Sequence, residues 1–240
     1  MASVHPALVV FVLSSYSLAL LPTAGSVSPK VSLALYYEAL CPFCSRFIVH
    51  SLPKIFADGL ISIVDLHLLP FGNAQIGFNS SIACQHGPSE CFFNTVEGCA
   101  INVWPDVRQH FSFVYCLENL ILENKYDDWE SCFQRTQLDP KALVDCYNSG
   151  RGQEIQLQYA AQTAALHPPH QYVPWMVVNG LPLYDDYDKF EAYVCKAFDG
   201  ELPNACQGLT VKKPQHMTRN KANAVCVMND TGISSSAKNN

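Results

Sequence analysis

Val31-Ser-Leu-Ala-Leu-Tyr-Tyr37, then Glu38-Ala-Leu40, then Cys41-Pro42-Phe43-Cys44, then Ser45-Arg-Phe-Ile-Val-His-Ser-Leu-Pro-Lys-Ile-Phe56: this stretch decides the fold. The first run is short, apolar and aromatic, and reads as a strand. The last has apolar residues at 47, 48, 52, 55 and 56, the spacing of one helix face. Leu60-Ile-Ser-Ile-Val-Asp-Leu-His-Leu-Leu69 then reads as a second strand. Two thiols therefore stand where a strand hands over to a helix. A helix N-terminus offers unpaired N–H groups and partial positive charge, both of which favour a thiolate. Cys41 is predicted to be the attacking sulfur, with a lowered pKa, and Cys44, one turn further in, the sulfur that closes a ring with it. Pro42 suits the first helical turn, where its missing N–H costs nothing.

Other readings of a CxxC are weaker. Zinc needs a second ligand pair, and the only candidates, Cys84, His86 and Cys91, have the spacing of no zinc ribbon or finger. No metal or other cofactor is expected. A purely structural bridge within the motif is the remaining alternative.

Residues 1–29 contain no Lys, Arg, Asp or Glu. The apolar block Ala7–Leu21, followed by Pro22-Thr-Ala-Gly-Ser26, has the form of a secretory signal, so residues 1–26 are expected to be a signal peptide. The block is short for a bilayer span, and no membrane span is expected once it is removed. The net charge of −6 with scattered Lys and Arg argues against nucleic acid as a partner. Eleven cysteines behind an export signal describe a disulfide-stapled protein of the secretory pathway. Sequons at Asn79 and Asn229 agree with that. With Cys41 and Cys44 set aside nine cysteines remain, so one is free or paired to another chain.

Phe71 to Ser81 reads as a loop. Cys84-Gln-His-Gly-Pro-Ser-Glu-Cys91-Phe-Phe-Asn-Thr-Val-Glu-Gly-Cys99 follows, a compact stapled excursion turned by Gly87-Pro88. This block resembles, at each fixed position of Cys-Gln-His-Gly-x-x-Glu-Cys-x-x-Asn-x-x-x-x-Cys, the signature of the gamma-interferon-inducible lysosomal thiol reductase family. The resemblance also takes in Cys41-x-x-Cys44 and Pro168-Pro-His-Gln-Tyr-Val-Pro174-Trp-Met-Val-Val-Asn-Gly180, and runs from about Val31 to about Cys226. It implies a thioredoxin-like fold, delivery to acidic endosomes or lysosomes, reduction of disulfides in protein substrates, and a thiol electron donor. One departure is that vertebrate members carry two glycines between the active cysteines, where this chain has Pro42-Phe43.

Val103 to Leu166 reads as mostly helical. Val107, His110, Phe111, Val114, Leu117 and Leu120 or Ile121 make one apolar stripe with Cys116 in it. Asp139-Pro140 supplies an N-cap and a first-turn proline. Gly150-Arg-Gly152 breaks the chain ahead of a helix from Glu154 to Leu166. Cys132 and Cys146 are expected near facing helix ends, where they could bridge. Val173–Val178 is a strand with a proline near its start, Asn179-Gly180 a hairpin turn, and Leu181–Tyr184 the return strand. That proline can be an edge device; in thioredoxin-like folds the matching one is cis and faces the CxxC. Val173 and Pro174 are on that footing expected to pair their backbone with an extended substrate segment beside Cys41. A last helix runs from Asp185 to Cys195, and Cys195 is expected to pair with Cys206.

The expected architecture is thus α/β: a thioredoxin-like domain over 30–206 with a mainly helical, disulfide-stapled insertion over about 71–166. A polar tail over 207–240 follows, read as disordered and as the place of the family's C-terminal propeptide. Cys84, Cys91, Cys99, Cys116, Cys132, Cys146, Cys195 and Cys206 are the structural bridge candidates. Cys226 is the odd one, and would join two subunits in a disulfide-linked homodimer. The expected function is reduction of protein disulfides, with a lysosomal, vacuolar or extracellular destination. Two alternatives use the same sequence: an oxidase or isomerase of the neutral secretory pathway, and a non-enzymatic disulfide-rich binding module.

Overall fold

The structure, a computed structural model, describes residues 1, 28–211 and 225–228. Strand β1 (Val31–Tyr37) buries every second side chain, Val31, Leu33, Leu35 and Tyr37, as a strand of period two must. Helix α1 (Pro42–His50) begins at the first proline of the motif, and the chain turns at Ser51–Pro53 into a single helical turn, α2 (Lys54–Ala57). The apolar run from Leu60 does not begin as a strand. Gly59, at φ +83°, starts a 3-10 turn over Leu60–Ile63, and strand β2 covers only Val64–Pro70.

The excursion from residue 71 holds a small hairpin, β3 (Gln75–Ile76) and β4 (Ile82–Ala83), and then five helices. These are α3 (Pro88–Val103), α4 (Val107–Leu122), α5 (Ser131–Thr136), α6 (Pro140–Asn148) and α7 (Gly150–Ala164). Asp139 caps α6 by accepting from the Lys141 N–H at 3.0 Å. The break before α7 falls at Ser149, whose hydroxyl caps the helix, so Gly150 and Gly152 are helical and not its interruption. Gly152 has a packing reason to be glycine: a Cβ there would lie 2.6 Å from the Thr95 side chain.

The chain then returns through β5 (Tyr172–Val173), β6 (Trp175–Val178) and β7 (Leu181–Pro182), with Asn179 and Gly180 at φ +45° and +80° in the connecting turn. Residues 184–189 form a 3-10 segment where a helix was expected, and α8 is confined to Phe190–Ala197. A last short strand, β8 (Cys226–Val227), pairs with β5. It corrects the expectation of a wholly disordered tail.

The main sheet has the order β2-β1-β6-β7, with β1 and β2 parallel and β6 and β7 antiparallel to their neighbours. One face carries Leu33, Leu35, Met176 and Val178 into a core with α1 and α8, through Phe47, Ile48, Leu52, Phe190 and Val194. A second core lies wholly within the excursion, around Phe93, Val96, Phe113, Leu117, Leu120, Trp129 and Leu143. Helix α4 serves both, since Phe111 and Val114 enter the first core and Phe113 and Leu117 the second.

Bridges fix the helices of the second core. Cys99 on α3 is bonded to Cys146 on α6, and Cys116 on α4 to Cys132 on α5. The expected Cys132–Cys146 bridge is therefore corrected. The two cysteines were expected near facing helix ends, but α5 packs on α4 and α6 packs on α3, so each cysteine faces the helix beneath it. Cys84 pairs with Cys91, and Cys195 with Cys206.

Bridges that close longer loops should stabilise more. Cys99–Cys146 spans 47 residues and Cys84–Cys91 spans 7. Urea unfolding should lose about 4 kcal/mol for the first bridge replaced by two alanines and about 2 kcal/mol for the second. An equal loss, or the reverse order, would contradict the assignment of Cys99–Cys146 as the main staple of the excursion.

Candidate active site

Cys41 is the N-cap of α1, with extended backbone at φ −78° and ψ 113°, and Pro42 takes the first helical position. The Cys41 carbonyl accepts from the Ser45 N–H at 3.0 Å and from the Ser45 hydroxyl at 3.2 Å. Its sulfur thus sits at the positive end of a nine-residue helix. Cys44 lies one turn in, fully buried, and is the free cysteine. Burial pushes its thiol up, the Glu38 charge adds to that, and a backbone hydrogen bond at Glu38 opposes it. Pro42 is exposed and Phe43 half-buried, with the Arg46 guanidinium 5.8 Å from the centre of the Phe43 ring.

Four carboxyl groups lie in the interior behind the motif, and three of them, Glu38, Glu90 and Glu118, act on Cys44. Glu38, Glu90, Glu97 and Glu118 are all fully buried. The Ser45 hydroxyl donates to Glu118, which ties α1 to α4 directly below the motif. Burial raises Glu118 to about 7. Glu97 goes up as well, through burial first and then the Glu118 charge. Burial likewise drives the neighbouring Tyr37 phenol up, with the charges of Glu97 and Glu118 behind it. Among the described residues, the Tyr37 hydroxyl, both Glu97 oxygens and one Glu118 oxygen have no hydrogen-bond partner in good geometry.

Glu38 belongs to the other side of the site. Burial raises it, and the charge of Glu90 raises it further, against hydrogen bonds from Asn73. The Asn73 N–H donates to Glu38 at 2.7 Å. Gly72 permits this approach: at φ +56°, a Cβ would lie 2.4 Å from the Glu38 carboxylate. The Glu90 carboxylate accepts from the N–H groups of Gln85 and His86, at 3.2 and 2.7 Å, and contacts the His86 ring. His86 Nδ1 is 3.6 Å from Glu38. Glu38, His86 and Glu90 each bring a ligand atom within 4.8 Å of the others, the one mixed acid–imidazole set among the described residues. Their oxygens are already engaged by Asn73, Gln85 and each other, which makes the set a polar support for the loop carrying Gln85.

The Val173–Pro174 peptide is cis, and β5 lies beside the motif. Its edge is occupied by β8, in the register Tyr172↔Val227 and Val173↔Cys226. Cys226 is bonded to Cys41, with Cα atoms 6.3 Å apart. Two expectations are corrected here. Cys41 is bridged to Cys226 and not to Cys44, and Cys226 is paired within its own chain and not to a second subunit. The physical reason is the short β5–β8 pairing, which carries residue 226 across the helix N-terminus.

The remaining expected positions fall as follows. Cys84 and Cys91 bracket the loop that presents Gln85 and His86, while Cys99, Cys116, Cys132, Cys146, Cys195 and Cys206 staple helices away from the motif. Asn79 is exposed. Asn229 and the signal region 2–26 lie outside the described residues. No helix of the described residues is long and apolar enough to cross a membrane. Sequence reasoning passed over Glu38, Asn73, Gln85, Glu90 and Glu118. The signal for Glu90 was present, an acid at a fixed position of the Cys84–Cys99 signature, but its role as scaffold or site depends on which loop it supports.

Residues 32–136 match the family model described as gamma interferon inducible lysosomal thiol reductase. The chain is 45% identical over 184 residues to the gamma-interferon-responsive lysosomal thiol protein of Arabidopsis thaliana, covering 75% of this chain and 76% of that one. It is 34% identical over 192 residues to the gamma-interferon-inducible lysosomal thiol reductase of Mus musculus, covering 76% and 74%. Among solved structures it resembles the reduced form of DsbG from Mycobacterium tuberculosis, with a TM-score of 0.52 at 17% identity, over 82% of this chain and 92% of that one. That likeness supports the thioredoxin-like fold. With a strand–CxxC–helix junction on that fold and relatives of this identity along most of its length, the chain belongs to the gamma interferon inducible lysosomal thiol reductase family of thiol–disulfide oxidoreductases.

Proposed function

We propose that the chain reduces disulfide bonds in protein substrates, at acidic pH, with Cys41 as the attacking sulfur and Cys44 as the resolving one. The observation that carries this is the position of Cys41 at the N-cap of α1 with Cys44 buried one turn behind it. The Cys41 thiolate attacks a substrate cystine, one substrate sulfur leaves, and a mixed disulfide forms. Cys44, as thiolate, then attacks the Cys41 sulfur, releases the second substrate thiol and leaves a Cys41–Cys44 bridge. An external thiol donor returns that bridge to two thiols. The peptide edge at Val173 and Pro174 is the proposed seat of the substrate segment.

The buried carboxyl groups support acid operation. Negative charge at Glu38 and Glu118 opposes a Cys44 thiolate, and burial makes both carboxyls hold their protons more readily. Once those two groups are protonated their repulsion is gone, and burial remains as the first cause of the raised Cys44 thiol. Acidic compartments of the secretory pathway, lysosomal or vacuolar, are the destination this chemistry favours. The names of the relatives from Arabidopsis thaliana and Mus musculus agree with it.

Replacement of Cys41 by serine should lower insulin-disulfide reduction at pH 5 by at least about a thousandfold, since it removes the sulfur at the N-cap of α1 that attacks the substrate. Cys44→Ser, with Cys226 also replaced by serine, should instead accumulate substrate as a mixed disulfide on Cys41, visible on a non-reducing gel. Full turnover by Cys41→Ser would defeat the assignment. Faster refolding of a scrambled substrate at pH 7 than insulin reduction at pH 5 would favour an oxidase or isomerase.

Stability should follow the same groups. Glu118 is raised in the folded state from 4.5 to about 7, so its contribution is full below 4.5 and is lost as pH rises to 7. That shift corresponds to about 3 kcal/mol. Denaturant unfolding should therefore show higher stability at pH 4.5 than at pH 7.5, and Glu118→Gln should flatten the difference. Stability that rises over that interval would contradict the protonated core.

A further inference from the structure

The strand at the far end of the described chain is bound as a ligand would be. Its hydrogen bonds with the site run through its own main chain. The Cys226 and Val227 carbonyls accept from the side-chain amides of Asn73 and Gln85, at 3.0 and 2.8 Å. The Met228 N–H donates to the Gln171 carbonyl at 3.2 Å, continuing the pairing with β5. Asn73 and Gln85 are also bonded to each other at 2.7 Å, so the two amides act as one clamp. Two buried side chains add to this. Val225, 6% exposed, packs with Tyr172, Trp175 and Val177, and the Cys226 sulfur is on Cys41. Val227 turns outward at 41% exposed.

Main-chain bonds on two sides, one apolar pocket and one sulfur on the nucleophile are the requirements for holding an extended substrate strand by added β-pairing. We propose that residues 225–228 are a resident pseudosubstrate. They fill the groove of β5, Asn73 and Gln85 that takes an extended, cysteine-bearing polypeptide with an apolar residue just before its cysteine, and they cap Cys41 until exchanged out. This rests on the reading of Cys41 as the attacking sulfur. It gives Gln85, within the family signature, the work of aligning a peptide carbonyl.

The exchange balances without an outside oxidant. The Cys226 thiolate attacks the Cys41 sulfur of a Cys41–Cys44 bridge, forming Cys41–Cys226 and releasing Cys44 as a thiolate that takes up a proton. The reverse step begins with Cys44 losing that proton and attacking Cys41, which frees the Cys226 thiolate. An external thiol donor then supplies two electrons to reduce Cys41–Cys44. A buried Cys44 makes the reverse step slow, so the cap persists until donor thiol is present.

The full chain, secreted and purified without reductant, provides the test. Non-reducing peptide mapping should recover the peptide of Cys41 joined to that of Cys226. A Cys41–Cys44 bridge, with Cys226 free or joined to another chain, would overturn the cap. Insulin reduction started by dithiothreitol should show a lag in the wild type that Cys226→Ser lacks, and identical progress curves would count against it. Should Cys226→Ser not accumulate, the wild-type map still decides. For the groove, the probe is the peptide Ala-Val-Cys-Val-Met with its cysteine joined to thionitrobenzoate, offered to Cys226→Ser. An aspartate in place of its first valine should raise KM about tenfold, and Gln85→Ala about fivefold with kcat little changed. Equal KM values would remove the groove assignment. Insulin reduction that survives Cys41→Ser would instead remove the underlying function, whatever the map shows.

Discussion

A helix N-terminus set above buried carboxyl groups is the constraint on which this structure depends. Glu38, Glu90, Glu97 and Glu118 are fully buried and come from three different parts of the chain, the end of β1 and helices α3 and α4. Ionised together they would repel one another and any thiolate above them, in surroundings where water cannot screen the charge. Protonated, they are compact polar groups that a core tolerates. The raised carboxyls at Glu38, Glu97 and Glu118 have burial as their first cause, and the Ser45–Glu118 contact transmits that condition to the helix holding both cysteines.

The excursion explains how such a site can exist on a small sheet. The sheet core alone, behind Leu33, Leu35 and α1, supplies a junction and little else. Helices α3 to α7 add a second core, stapled by Cys99–Cys146 and Cys116–Cys132, and through α4 that core reaches under the motif. The same excursion returns Asn73 and Gln85 to the rim, where one side chain meets Glu38 and both meet the strand at Cys226. Glu90, Glu97 and Glu118 below and the peptide clamp above thus come from one inserted segment.

Local patterns were readable because their causes are local. Alternation in β1, the proline after Cys41, the Asp139 cap and the Asn179-Gly180 turn each depend on neighbours a few residues away. The short 3-10 segments at Leu60–Ile63 and Tyr184–Lys189 were misread because a brief apolar or acidic run looks alike in several conformations. Long-range pairings were not legible at all. Nothing near Cys132 or Cys146 records that α5 lies on α4 and α6 on α3, and the two residues of β8 carry no strand signal of their own. Of the site, the two motif cysteines could be found from sequence, whereas Glu38, Asn73 and Gln85 gain meaning only when the chain brings them to one place.

The pKa of the Cys41 thiolate bears on all of this most directly, measured as alkylation rate against pH with Cys44 and Cys226 both replaced by serine. Helix-end activation in an acid-adapted site predicts a value of about 5 or below. A value near the ordinary thiol range, about 8.5, would contradict it, leaving Cys41 protonated and inert where the carboxyl groups below it are neutral.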